Sequence, residues 1–283
     1  MIAILGGLGA SICFAVSALC SAAASRRIGA SSTLSWVMTI GLVFVVPGIL
    51  IAGTGQLTAG RTALLVICGL TNIFGLLVEY VAFRRGGKIG VITPIASTEG
   101  AIATVIAVIA GLELSLRTAV LLLVVTVGVI LATAHPDPPD GSNHATEVRS
   151  ALLALPAAVM FGINLYVTAR VGREVPVVWV LLPGRLLGTV LLTVPLAASR
   201  RLRPPGSAWP FVLATALAEV LGIASYTLGA RHQLAVAAVI ASQFAAVAAI
   251  GAYFLFDERL TRLQLVGLVV VAIGVGLLAA EGT

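Results

Sequence analysis

The chain has 283 residues, 59% of them hydrophobic and only 10% charged, with a mean hydropathy of +1.12. A soluble domain is about 45–50% apolar and about 25% charged, so this composition excludes a soluble globular protein and calls for lipid surroundings. The net charge of +6 and pI near 9.9 do not point to a nucleic-acid partner, because the basic residues are dispersed among short loops.

A span needs about 20 mainly apolar residues to cross about 30 Å of hydrocarbon. Ten stretches qualify in chain order: 1–24, 31–53, 62–83, 89–112, 117–134, 151–169, 175–198, 208–230, 234–256 and 262–280. Barrel-type alternation is absent, and backbone groups in lipid must bond within their own segment, so the spans are read as helices. The expected fold class is all-α and multi-pass in a plasma or inner membrane, with ten transmembrane helices.

The first span ends on Ala22, Ala23 and Ala24 before Arg26, but MIAILGG lacks a basic start and nine spans follow, so it is read as a retained helix rather than a cleaved leader. Cys13, Cys20 and Cys68 fall inside spans and form neither a disulfide framework nor a CxxC site. Loops after odd-numbered spans hold eleven Lys or Arg against five after even-numbered ones, which predicts both termini on the non-cytoplasmic side. Between the fifth and sixth spans, HPDPPDGSNHATEVR (135–149) reads as a solvated linker.

Five spans lie on either side of that linker. Because five is odd, related halves enter the membrane in opposite senses, giving a first repeat at 1–134 and a second at 150–283. Shared landmarks support the repeat: Phe14-Ala15-Val16 with Phe161-Gly162-Ile163, Trp36 to Gly41 with Trp179 to Gly184, and IAS at 95–97 and again at 240–242. Each half also closes on an acidic residue, a polar turn and a Gly-bearing helix, with Glu113 and Gly128 in one and Glu258 and Gly274 in the other. Glu113 and Glu258 are read as residues that position helix starts.

Charged residues inside spans are costly, about 2.5–3.5 kcal/mol at the centre even on insertion scales, and so face a cavity or a partner. Glu99, Arg185 and Glu219 stand near the middle of their spans, which suggests a shared site. Glu79 is nearer a span end and is expected to reach the interface beside Arg84. If Arg185 neutralises one carboxylate, the other holds a proton or a cationic ligand, not both. Helix breaks are expected at Pro94 and at Pro183-Gly184, because proline removes a backbone donor next to these charges. Secondary cavity candidates are Glu79, as the alternative to its interfacial reading, and Asn164, Gln243, Ser242, Tyr80, Tyr226 and Trp36, although Tyr80 and Trp36 also suit interfacial anchoring. The repeat alignment sets Glu99 against Phe244, so the halves differ in chemistry. No HExxH, GxSxG, metal cluster or cofactor motif occurs, so neither a catalytic residue nor a cofactor is expected.

With the segment Asp257, Glu258, Arg259, Leu260 and Thr261, followed by Leu263, Gln264, Leu265, Gly267 and Gly274, the chain resembles the EamA-type members of the drug/metabolite transporter superfamily. The first half departs from that pattern: Glu113, Leu114 and Ser115 lack the Arg, and no Gly matches Gly267. The resemblance implies a secondary carrier of small metabolites or drug-like molecules, generally an exporter. The family's usual cytoplasmic termini oppose the charge count. Combined with the mid-membrane charges, the expectation is proton antiport of a cationic or zwitterionic small molecule, by a monomer or homodimer. A facilitative exchanger, an uptake carrier or a membrane scaffold is the alternative.

Overall fold

A computed structural model describes residues 1–52, 57–85, 89–113, 115–133 and 144–248, and beyond these 262, 263, 266, 267, 269, 270, 273, 274 and 277. Their secondary structure is helical, with no strand among the described residues. In chain order the elements are α1 (Ile2–Ile28), α2 (Ala30–Ala52), α3 (Ala59–Arg84), α4 (Ile89–Ala96), α5 (Glu99–Ile109), α6 (Leu116–Thr133), α7 (His144–Val171), α8 (Val177–Gly188), α9 (Val194–Ala198), α10 (Trp209–Ala230) and α11 (Leu234–Ala241). A π-helical turn, Thr189–Thr193, carries α8 into α9, and residues 244–248 resume a helix beyond α11.

Among the described residues, six helical stretches are long and apolar enough to cross a membrane: Ile2–Ile28, Ala30–Ala52, Ala59–Arg84, Leu152–Val171, Val177–Ala198 and Gly206–Ala230. Glu99–Ile109, Leu116–Gly128 and Leu234–Ala248 are apolar but shorter. Large apolar side chains such as Leu50, Ile51, Ile109 and Leu123 stand exposed, as a lipid-facing surface requires. Asp257, Glu258, Arg259, Leu260, Thr261, Gln264 and Leu265, which carry the terminal motif, lie outside the described residues, as do residue 134 and 135–143 of the linker.

Local chemistry sets the helix ends. α1 stops at Gly29, whose φ of 91° suits a residue without a side chain and whose N–H reaches the Ser25 carbonyl. The Thr58 hydroxyl accepts from the Arg61 N–H to start α3, and Ser115 Oγ accepts from the Thr118 N–H at 3.1 Å to start α6. Glu113 is exposed in the turn before it.

The packing is reciprocal. α1 lies along α10, and α3 lies along α7; α5 meets α7, while α11 meets α1. α3 meets α8, and α2 meets α10. Small residues permit the closest approach: a Cβ on Gly6 would stand 2.6 Å from Gly229 Cα, so α1 and α10 touch backbone to backbone.

Two expected helix breaks are corrected. Pro183 lies inside α8, which runs on to Gly188, so neither Pro183 nor Gly184 interrupts it. Proline removes only one donor, and the irregularity falls instead at the π-turn, where Thr189 Oγ1 donates to the Arg185 carbonyl at 2.7 Å. Pro94 likewise lies within α4. The break comes at Ser97 and Thr98, and a second one occurs at Ser242 and Gln243. The two interruptions therefore follow the repeated Ile-Ala-Ser rather than the prolines.

Candidate functional site

The interior cavity is lined from five helices and one short turn of helix: Phe14, Ser17 and Ala18 of α1; Asn72, Leu76 and Glu79 of α3; Glu99 at the start of α5; Phe161, Asn164 and Leu165 of α7; Glu219 and Ile223 of α10; and Phe244. Its volume is about 40 Å³, room for about two or three waters. Asn72, Leu76 and Glu79 are spaced four and three residues apart and share one face of α3.

Most of the lining follows one rule. Phe14 and Phe161, Ser17 and Asn164, Ala18 and Leu165, Asn72 and Glu219, and Leu76 and Ile223 are each 147 positions apart. Glu99 and Phe244 each stand directly after a helix break. The positions are thus equivalent, but serine corresponds to asparagine, asparagine to glutamate and glutamate to phenylalanine. Gly75 and Gly222, also 147 apart, make room for the two matching rings: a Cβ there would stand 2.5 Å from Phe161 and 2.6 Å from Phe14. The Phe14 ring meets Phe244 edge-on at 6.4 Å between centroids.

Glu219 is the held carboxylate. One oxygen accepts from Ser17 Oγ at 2.7 Å, and the other stands 3.7 Å from Arg185 Nη2. Arg185 is 1% exposed and does not line the cavity; Nη1 reaches Met38 Sδ at 3.4 Å, while Nε and Nη2 make no hydrogen bond. Its stem fits because position 41 is glycine: a Cβ there would stand 2.9 Å from Arg185 Cδ. Glu99, by contrast, is 5% exposed and has neither a hydrogen-bond nor an ion-pair partner among the described residues.

Of the two readings of Glu79, the structure fits the cavity one. This residue does not reach the interface beside Arg84; it is 5% exposed and faces the chamber with Glu99 and Glu219, while Arg84 is exposed. Asn164 is on the wall, with its amide nitrogen committed to the Cys68 carbonyl at 2.7 Å. The other secondary candidates lie elsewhere. Tyr226 donates to the Leu165 carbonyl at 2.8 Å, and Tyr80 is sealed in the core, where its hydroxyl meets no hydrogen-bond geometry among the described residues. Trp36 donates to the Arg203 carbonyl at the end of the bundle. Ser242 and Gln243 both turn back to the Val239 carbonyl and shape the break instead of the wall.

Phe14, Phe161, Ser17, Asn72, Leu76 and Ile223 line the chamber without having been singled out as cavity residues. A lone Asn amid the apolar residues of α3, 147 positions before Glu219, was the available signal.

Two tethers lie at opposite ends of the bundle. At one, Arg61 of α3 pairs with Glu174 beyond α7 at 2.7 Å, next to Arg231, which donates to the Gly172 and Val175 carbonyls. At the other, Arg27 of α1 donates to the Ser207 carbonyl at 3.0 Å and lies 4.4 Å over the Phe211 ring. Arg27 and Glu174 are again 147 apart.

Comparison with known proteins matches the model of the EamA-like transporter family to residues 1–134 and 148–280. Curated proteins give no match. Among solved structures, one titled only "Crystal structure of protein" aligns over 99% of this chain and 98% of its own, at 17% identity and a TM-score of 0.75, a likeness of fold alone.

Proposed function

The chain belongs to the EamA-like transporter family, and from that premise we propose that this multi-pass membrane protein is a proton-coupled carrier exporting a small cationic molecule by alternating access. In this reading residues 1–134 and 150–283 are two inverted five-helix halves, joined by 135–149, that together make ten spans in the plasma or inner membrane. The reciprocal packing of α1 on α10 and α3 on α7 supports that organisation, and so do the chamber positions recurring at a constant offset. Tethers at opposite ends suit a carrier that opens to one side at a time.

The observation that carries the reading is the unequal treatment of two carboxylates in one chamber. Glu219 is held by Ser17 and Arg185, whereas Glu99 faces the same space without a partner among the described residues. A buried carboxylate is neutralised by a proton or by a cation, so Glu99 exchanges one for the other, and Glu219 shapes the chamber. The test is purified protein in proteoliposomes under an imposed pH gradient, screened against amines, amino acids and nucleosides by solid-supported electrophysiology. Gradient-driven uptake that Glu99→Gln abolishes is expected. Unaltered gradient dependence in that variant would end the proton-coupling mechanism.

A further inference from the structure

α9 closes on a residue that does not suit its backbone. The Arg200 N–H donates to the Ala197 carbonyl at 3.0 Å and the Arg201 N–H to the Leu196 carbonyl at 2.8 Å, the pair of bonds that ends a helix through one left-handed residue. That residue is Arg200, with a φ of 54°. Glycine is usual at such a position, because a Cβ crowds the neighbouring carbonyl there. Among the described residues every other positive φ, at Gly29, Gly111 and Gly206, does belong to glycine. The bonds that stop the helix come from the main chain and would form equally well with glycine, so the arginine side chain is kept against a local cost and has a use outside the turn.

The surroundings specify that use. Residues 199–208, SRRLRPPGSA, hold three arginines and no acid. Arg200, Arg201 and Arg203 are exposed, and their guanidinium groups have no hydrogen-bond or ion-pair partner among the described residues. The main chain of the same segment is held firmly: the Arg203 N–H donates to Ser32 Oγ at 3.2 Å, Trp36 Nε1 to the Arg203 carbonyl at 2.9 Å, and Arg27 Nη1 to the Ser207 carbonyl at 3.0 Å. Three peptide units separate Arg200 from Arg203, so their Cα atoms are at most about 11 Å apart. Directly before these arginines the π-turn and α9 leave Val190, Leu191 and Val194 half exposed, and Trp209 follows at the start of α10, 46% exposed. In a bilayer acyl chains cover such apolar side chains, and tryptophan sits at headgroup level. The three cations therefore stand where phosphates lie above their tails.

We infer that this segment binds an anionic phospholipid, its phosphate held at Arg200 with Arg201 and Arg203 adding charge, and its acyl chains lying along the π-turn and α9. A guanidinium presents paired N–H donors that match two phosphate oxygens. Basic residues beside a span gather anionic lipid from the leaflet they face. The segment follows the seventh predicted span, on the side whose eleven Lys and Arg predict the cytoplasm, where that leaflet is the more anionic. The site is separate from the chamber and does not depend on the carrier reading.

The test is native mass spectrometry of the full-length protein released from mixed micelles with equal phosphatidylglycerol and phosphatidylcholine. Phosphatidylglycerol should be retained over phosphatidylcholine by at least about fivefold, the effect of one basic residue near a charged surface. Arg200→Gly is the discriminating variant: it should melt at or above the wild-type temperature, because the left-handed turn suits glycine, and yet lose most of the preference. Arg201→Gln with Arg203→Gln should weaken the preference as well, whereas Arg170→Gln, at an exposed arginine of α7, should leave it unchanged. Equal retention of the two lipids by the wild type, or an undiminished preference in Arg200→Gly, overturns the site. Displacement of phosphatidylglycerol by millimolar inorganic phosphate would make this a soluble-anion site and overturn the lipid assignment. A lower melting temperature in Arg200→Gly would overturn the argument that arginine is kept there against strain.

Discussion

Ser17 and Glu219, 202 residues apart in sequence, meet in the interior through a 2.7 Å hydrogen bond, with Arg185 on the far side of the same carboxylate at 3.7 Å. Both charged partners are almost sealed from solvent, so removing one strands the other. Arg185→Ala should lower stability by about 3–5 kcal/mol, and a paired Arg185→Met with Glu219→Leu should recover much of that, because the uncompensated charge disappears. Thermal unfolding in detergent reads both. Equal losses in the single and double variants would contradict the coupling.

Gly41 sets where that arginine goes. A methyl there would stand 2.9 Å from Arg185 Cδ, so Gly41→Ala should displace the guanidinium and cost about 1–3 kcal/mol of overpacking. Gly60, in the first turn of α3, has nothing within 4 Å of the same added atom, and Gly60→Ala should be neutral or gain about 0.4–1 kcal/mol. Melting curves of the two variants give the comparison.

The glycines behind the two rings offer a test of equivalence. Gly75→Ala pushes on Phe161 and Gly222→Ala on Phe14, at contacts of 2.5 and 2.6 Å. Both should tilt a ring into a chamber of about 40 Å³ and slow transport about tenfold or more. Flux in proteoliposomes measures this, and a marked effect from only one of the pair would show that the two walls are not mechanically alike.

The Arg61–Glu174 pair is partly exposed, at 32% and 43% for the two side chains, so it contributes only ~0.2–1 kcal/mol to stability. Its disruption should change which side the chamber faces. With Cys13, Cys20 and Cys68 replaced and a cysteine placed at Ser17, Glu174→Ala should raise labelling by a membrane-impermeant thiol reagent from the Arg61 side. The exchanged pair Arg61→Glu with Glu174→Arg should restore the original rate. Labelling that ignores all three changes would remove the tether from the gating cycle.

The features easiest to read from sequence were those with the largest transfer energies. Long apolar runs leave few alternatives to helices in lipid, and mid-span charge is expensive enough that Glu99, Glu219 and Arg185 stood out. Distance from the span end favours the interface for Glu79, whereas helical phase favours the cavity, and the phase decides: Asn72, Leu76 and Glu79 fall on one stripe. The breaks were assigned to prolines, whereas α8 tolerates Pro183 and the chain interrupts itself at Ser97 and Ser242. Gly41 and its fit to Arg185 had no signal in sequence, since that glycine matters only through a neighbour 144 positions away.

The uneven walls carry a mechanical consequence. Glu79 and Glu99 both belong to the chain before the linker, while the position equivalent to Glu99 in the second half is Phe244. In the proposed carrier, cargo gripped at Glu99 rides with α5, and the apolar side that carries Phe244 slides past as a greased shutter. Substitutions on the riding side then set how tightly cargo is held, and those on the shutter set how often it crosses.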